Sequence, residues 1–304
     1  MSFFEVLREM MVILFAIALG YLARRKAYLN DQFNEMLSKL IMTITLPCMI
    51  VGAVLTGDAL PGTGEILSVL KVSVVFYAMG ILAALLLPRF LGGTPLQKGV
   101  WRYGLVFPNM AFIGYPVVVG VYGAEALFYA VILVLPFNLL TYTLGPLLLV
   151  GAKQMRWQQF CSPTVIAAVI SLVLALTGLR PPAVVGECLN FVGDVTVTMS
   201  LITVGSLLAG LPVRQVFASP RLWIFSLIRL LALPVPLFLI LRGMNGVDAL
   251  VMGVAVLEMA MPVAINGSMM CMEYGGDTKT MAQVTFLSTL LSMVTIPLIA
   301  AVLL

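Results

Sequence analysis

Apolar residues run along this chain in ten stretches of about twenty, near 5–23, 34–56, 66–88, 101–121, 126–150, 162–179, 190–210, 222–241, 248–272 and 280–303. At about 1.5 Å per residue, each predicts a helix able to cross a hydrocarbon core about 30 Å thick. Two of them cannot run unbroken. In the fourth, Phe107-Pro108-Asn109-Met110-Ala111-Phe112-Ile113-Gly114-Tyr115-Pro116 sets two prolines and a glycine around one asparagine. The ninth repeats the interruption at Glu258-Met259-Ala260-Met261-Pro262-Val263-Ala264-Ile265-Asn266-Gly267-Ser268. A proline removes a backbone donor and clashes with the preceding turn, so each helix must break or kink. In lipid a broken helix persists only where protein or a polar cavity satisfies the freed groups. Two such segments at corresponding places in two halves point to a transporter binding site.

The halves echo each other elsewhere. Thr45-Leu-Pro-Cys-Met-Ile-Val-Gly52 aligns with Thr198-Met-Ser-Leu-Ile-Thr-Val-Gly205, Tyr122-Gly-Ala-Glu125 with Tyr274-Gly-Gly-Asp277, and Pro146 with Pro297, at nearly one offset. A five-plus-five repeat follows, residues 1–150 and 160–304, within one membrane domain. Five spans per repeat give the halves opposite orientations, so the expected fold is all-α, ten transmembrane helices in two inverted repeats. Arg24, Arg25, Lys26, Arg89, Lys98, Lys153, Arg156, Arg214 and Arg221 cluster in the loops after spans one, three, five and seven. The positive-inside rule puts those loops in the cytoplasm and both termini outside.

Composition agrees with a bilayer as solvent. Of 304 residues 62% are hydrophobic and only 10% charged, and mean hydropathy is +1.11, values that exclude an ordinary soluble domain. The net charge of +4 forms no basic stripe with interleaved aromatics, so no nucleic-acid partner is expected. With no histidine and four scattered cysteines, a zinc site, a disulfide framework and a histidine-based triad all lack support. Nor is there any cluster of catalytic groups. The expectation is no enzyme, no cofactor and no bound metal beyond a coupling ion, in a multi-pass protein of the cell inner or plasma membrane.

The pattern Asn109-x-x-x-x-Gly114-x-Pro116, with Leu46-Pro47, Met261-Pro262-Val-Ala, Tyr274-Gly-Gly-Asp277 and Ser288-Thr289 before Pro297, resembles the auxin efflux carrier family, in its short-loop bacterial branch. The resemblance implies two inverted bundles with broken helices four and nine crossing at the centre, transport of organic anions, and distant kinship with bile-acid:sodium symporters. The long cytoplasmic loop of the plant carriers is absent, which removes the ground for loop phosphorylation and for auxin as substrate. The partners implied are a small organic anion and the lipid bilayer, with a homodimer as an open alternative to a monomer.

The start of a half-helix suits a carboxylate and its carbonyl end suits a cation. Asn109 and Asn138 are the candidate substrate amides, with Gly114, Pro116 and Pro262 shaping the backbone around them; both asparagines could instead cap freed backbone groups. Glu258 lies about ten residues into its span, roughly 15 Å deep. A carboxylate there must be paired, protonated or bound to a cation. Arg229 reaches a similar depth and could pair with it. Alternatively Glu258 holds a coupling ion, Na+ or H+, with Asn266 and Ser268 completing an oxygen shell. The expected function is cation-coupled secondary transport of a carboxylate by alternating access. Its rivals are an uncoupled channel or uniporter and a bile-acid:sodium-symporter-like carrier.

Overall fold

The computed structural model describes residues 3–56, 63–123, 126–151, 163–210, 216–217 and 219–303. Most of the segment joining the two halves, with Lys153 and Arg156, lies outside them, as do Cys161 and Arg214. The described residues are almost wholly helical, with no strand among them. In chain order the helices are α1 (Phe3–Arg25), α2 (Asp31–Leu40), α3 (Leu46–Thr56), α4 (Thr63–Leu86), α5 (Pro88–Leu91), α6 (Pro95–Val106), α7 (Tyr115–Tyr122) and α8 (Ala126–Val150). They continue as α9 (Pro163–Thr177), α10 (Ala183–Gly193), α11 (Val195–Ala209), α12 (Pro220–Leu227), α13 (Pro234–Arg242), α14 (Ala249–Met259), α15 (Asn266–Tyr274) and α16 (Thr278–Leu303). Among the described residues, five continuous helical runs are long and apolar enough to cross a membrane: Asp31–Thr56, Gly64–Leu91, Ala183–Ala209, Pro220–Arg242 and Thr278–Leu303. Shorter apolar helices, among them Met110–Tyr122 and Ala249–Met259, accompany them.

Several runs contain a widened turn, and proline explains each one. The segments Ile41–Thr45, Met110–Gly114 and Ile228–Ala232 are π turns. Each ends directly before a Leu-Pro or Tyr-Pro step, at Leu46-Pro47, Tyr115-Pro116 and Leu233-Pro234. The proline lacks an N–H, and its ring crowds the carbonyl four residues back. The residue before it then reaches back five: Leu46 N to Ile41 O, Tyr115 N to Met110 O, and Leu233 N to Ile228 O. Such single wide turns keep a helix continuous while resetting its phase.

Two helices start earlier than hydropathy alone suggests. Before α6, Thr94 and Gln97 close a reciprocal capping box ahead of Pro95, which fixes the start at the first favourable cap. Helix α10 extends the seventh run back to Ala183. Its polar Asn190 donates to the Thr56 hydroxyl at 2.8 Å, so a neighbouring helix satisfies it. Asp194 then falls at the join of α10 and α11, mid-run rather than near an end.

Helix α1 packs along α11, and α3 lies against α9 and α10. Small residues set these distances. A Cβ on Gly20 would collide with the Ile202 carbonyl, and one on Gly205 with the Ile17 carbonyl, so the α1 and α11 backbones touch. Gly205→Ala should therefore cost at least about 1–3 kcal/mol and lower the melting temperature of the detergent-purified protein. Gly64→Ala, where the added methyl meets open space, serves as control and should leave melting unchanged.

Candidate functional site

The breaks in the fourth and ninth apolar stretches face each other. Helix α6 stops at Val106 and α14 at Met259. Between them Pro108 and Val263 form an isolated antiparallel bridge. Asn109 N donates to Pro262 O at 2.7 Å, and Ala264 N donates to Phe107 O at 3.0 Å. A third freed donor, Val263 N, goes to the Ser288 hydroxyl of α16 at 3.2 Å. Phe107, Asn109, Pro262 and Val263 are all buried, as irregular backbone inside a bilayer requires. The prolines sit where donors are dispensable, since each carries no N–H to orphan.

Two small cavities of about 20 Å³ each lie beside this crossing and share Met42, Phe112 and Asn266 in their walls. One is closed by Ser200 and Thr203 of α11, the other by Asn109, Phe137 and Tyr142. A space of that size holds about one water. Asn109 and Asn266 thus share a cavity, and local bonds orient both amides. Asn109 Oδ1 accepts from Phe112 N at 3.3 Å, while its Nδ2 is buried without a partner. Asn266 Oδ1 accepts from the Tyr103 hydroxyl at 3.1 Å. In both, the acceptor is engaged and the nitrogen is left to donate, which suits an acceptor-only ligand such as a carboxylate. No side chain caps the N-terminus of α15, so its dipole adds to the same preference.

Glu258 belongs to a different region. It is fully buried, and neither carboxylate oxygen has a hydrogen-bond partner. Its carboxylate occupies the place a Cβ on Gly114 would take, which is why the π turn carries glycine there. Tyr77 and Tyr115 are its electrostatic neighbours. The Tyr77 hydroxyl is committed to Leu133 O at 3.0 Å, whereas the Tyr115 hydroxyl has no partner. No hydrogen bond joins Glu258 to Asn266 or to Ser268, although Ser268 is buried in the first turn of α15. Pro262 contributes its carbonyl to the crossing rather than to Glu258. Pro116 lies in the first turn of α7 and Asn138 within α8; their side chains are outside the described ones.

Arg229 is equally buried but does not pair with Glu258. Its Nη1 donates to Met259 O at 2.8 Å, and Nε and Nη2 have no partner. An exposed ion pair joins Arg24 to Asp31 at 2.7 Å. No cluster of three metal-ligating side chains occurs among the described residues. Sequence reasoning missed Tyr103, Tyr115, Ser200 and Thr203. Tyr115 lies within the interruption of the fourth stretch, and Ser200 and Thr203 lie in the internal repeat around Gly205; Tyr103 carried no signal.

A double-mutant cycle tests this separation. Removing one member of a buried ion pair costs about 3–5 kcal/mol, and removing the second member recovers much of it. Here Arg229→Met should give no rescue of Glu258→Gln in thermal melts. Recovery of stability in the double mutant would reinstate the pair.

A family model described as membrane transport protein matches the chain twice, over residues 5–154 and 146–300. An uncharacterized transporter of Methanothermobacter thermautotrophicus is 25% identical over 313 residues, covering 100% of both chains. A second protein of that description, from Methanocaldococcus jannaschii, is 25% identical over 300 residues, covering 95% of this chain and 96% of its own.

Proposed function

From a chain that belongs to the membrane transport protein family, and so is a multi-pass membrane transporter and not an enzyme, we propose secondary active transport of a small organic anion. The anion is a carboxylate, and its movement is coupled to a cation, sodium or a proton. The observation that carries the anion reading is the pair of amides at one cavity, each with its oxygen engaged and its nitrogen free to donate. Two donors from two broken helices converge there without any fixed positive charge, so the ligand binds tightly enough to select and loosely enough to leave. Glu258 carries the coupling reading. A buried carboxylate with no partner needs a proton or a monovalent cation to stay in place, and an exchangeable one makes it a coupling site.

The proposed architecture is ten spans in two inverted five-helix repeats, with α6–α7 and α14–α15 as broken fourth and ninth spans. Support comes from the double family match and from the mutual pairing of the two breaks. The packing of α1 on α11 and of α9 on α3 supports it as well, since the first helix of each half lies against the second span of the other. Transport would proceed by alternating access, the crossing moving against the wall of α2 and α11. Cavities of about 20 Å³ are too small for any carboxylate beyond the state described, so this wall must open on one side for entry.

Thermal stabilisation of the purified protein across a panel of mono- and dicarboxylates, in sodium and in choline and at several pH values, tests the proposal. At least one carboxylate should stabilise, and Asn109→Ala or Asn266→Ala should weaken its binding about 10-fold or more, the value of a hydrogen bond to a charged group. Glu258→Gln should keep substrate binding and lose the dependence on sodium or pH. Indifference to every carboxylate would refute the substrate class, and unaltered cation dependence in Glu258→Gln would refute the coupling site.

A further inference from the structure

Helix α14 ends in the middle of the protein, so its last four carbonyls need donors where no water is supplied. Three find them locally. Ala260 N reaches back to Val256 O and Leu257 O, and Met261 N reaches Glu258 O at 3.3 Å. Met259 O is the remaining one, and its donor is Arg229 Nη1 at 2.8 Å. The guanidinium also lies against the Met259 sulfur at 3.4 Å. It is held in the π turn Ile228–Ala232 that Leu233-Pro234 imposes. Among the described residues Arg229 and Glu258 are the only fully buried charged side chains.

We infer that Arg229 is a resident cation for the broken helix, capping the carbonyl end of α14 so that Glu258 alone exchanges a counter-ion during transport. The second half of this statement rests on the coupling reading proposed above. The negative end of a helix carries about half an elementary charge, and a guanidinium that donates to its last carbonyl offsets it without a carboxylate, its Nε and Nη2 being left without partners. Were Arg229 instead the partner of Glu258, no external cation would be needed at the carboxylate. With Arg229 Nη1 on Met259 O, Glu258 lies against Gly114 and Tyr115 with neither carboxylate oxygen hydrogen-bonded. Two buried charges at one helix end, Glu258 of α14 and Arg229 reaching it from the eighth stretch, thus take different tasks. Arg229 is a positioning residue that keeps the ninth span broken at Met259, and Glu258 carries the variable charge.

The test compares Arg229→Lys with Arg229→Gln in thermal melts at constant ionic strength, in choline, sodium and methylguanidinium chloride, each also in the Glu258→Gln background. The glutamine variant should melt about 5 °C or more below the parent and acquire a stabilisation by methylguanidinium that the parent does not have, restoring at least half of the loss. The lysine variant should stay close to the parent. Both results should persist with Glu258→Gln, because the cation acts on the α14 carbonyl end. Equal stability of the lysine and glutamine variants would overturn the inference, as would a rescue that disappears in the Glu258→Gln background. If the glutamine variant cannot be purified, the lysine variant decides alone: near-parent stability supports the resident cation, and loss of the folded protein overturns it. Cation-independent transport by the parent, with the methylguanidinium rescue intact, would remove the role given to Glu258 and leave the α14 cap standing.

Discussion

Everything central in this protein depends on one reciprocal pair of backbone hydrogen bonds, Asn109 N to Pro262 O and Ala264 N to Phe107 O. A helix broken inside a membrane leaves donors and acceptors that water cannot reach, at a cost of several kcal/mol each. Pro108 and Pro262 delete one donor apiece, and the two breaks then satisfy two donors and two acceptors on each other. Neither break would be tolerable alone. Ser288 takes Val263 N and Arg229 takes Met259 O, so side chains from the eighth and tenth apolar stretches satisfy two further groups. The crossing is thus a junction of several helices, which explains why its polar residues are scattered along the chain.

That junction separates two kinds of chemistry by a few residues. On one side Asn109 and Asn266 line a cavity with their acceptors already committed. On another, Glu258 fills the space left by the missing Cβ of Gly114. The glycine that lets the carboxylate approach belongs to the π turn begun after Asn109, and that turn exists because Pro116 follows Tyr115. One short motif therefore shapes both places. A change in the occupancy of Glu258 would press on the same turn whose Phe112 N–H orients the Asn109 amide. This gives the proposed cation and substrate sites a physical connection through five residues of backbone.

The breaks were legible in the sequence because no regular helix accommodates Pro108 with Pro116, or Pro262 beside Asn266-Gly267. Apolar run length likewise marked the helices, and the motif resemblance marked the family. The partners of Glu258 were not legible. Counting residues along a helix gives depth, a single coordinate, and Glu258 and Arg229 do reach similar depths. Whether they meet depends on rotation about each helix axis. Arg229 sits in a π turn, and the irregular stretch after Met259 resets the phase of α15, so periodicity cannot be carried through either. The same reset explains Asn266. Read with Glu258 from proximity in sequence, it lies instead with Asn109 at the cavity, held by Tyr103 from the other broken helix.

The bonding pattern also constrains how the site can open. The two half-helix pairs are tied by backbone hydrogen bonds and by Tyr103 to Asn266, so they would move as a unit. The facing wall is built differently. Ile41 and Met42 come from the π turn of the second apolar run, Leu46 from the start of α3, and Ser200 and Thr203 from α11. The Ser200 and Thr203 hydroxyls turn back onto carbonyls of their own helix, Thr196 O and Met199 O. They are satisfied without the crossing, so separating the two surfaces exposes no newly orphaned donor on those residues. Breaking the crossing itself would expose at least two donors and two acceptors. On the proposed reading, an alternating-access motion therefore follows the seam between wall and crossing, because opening there breaks neither of the two crossing hydrogen bonds.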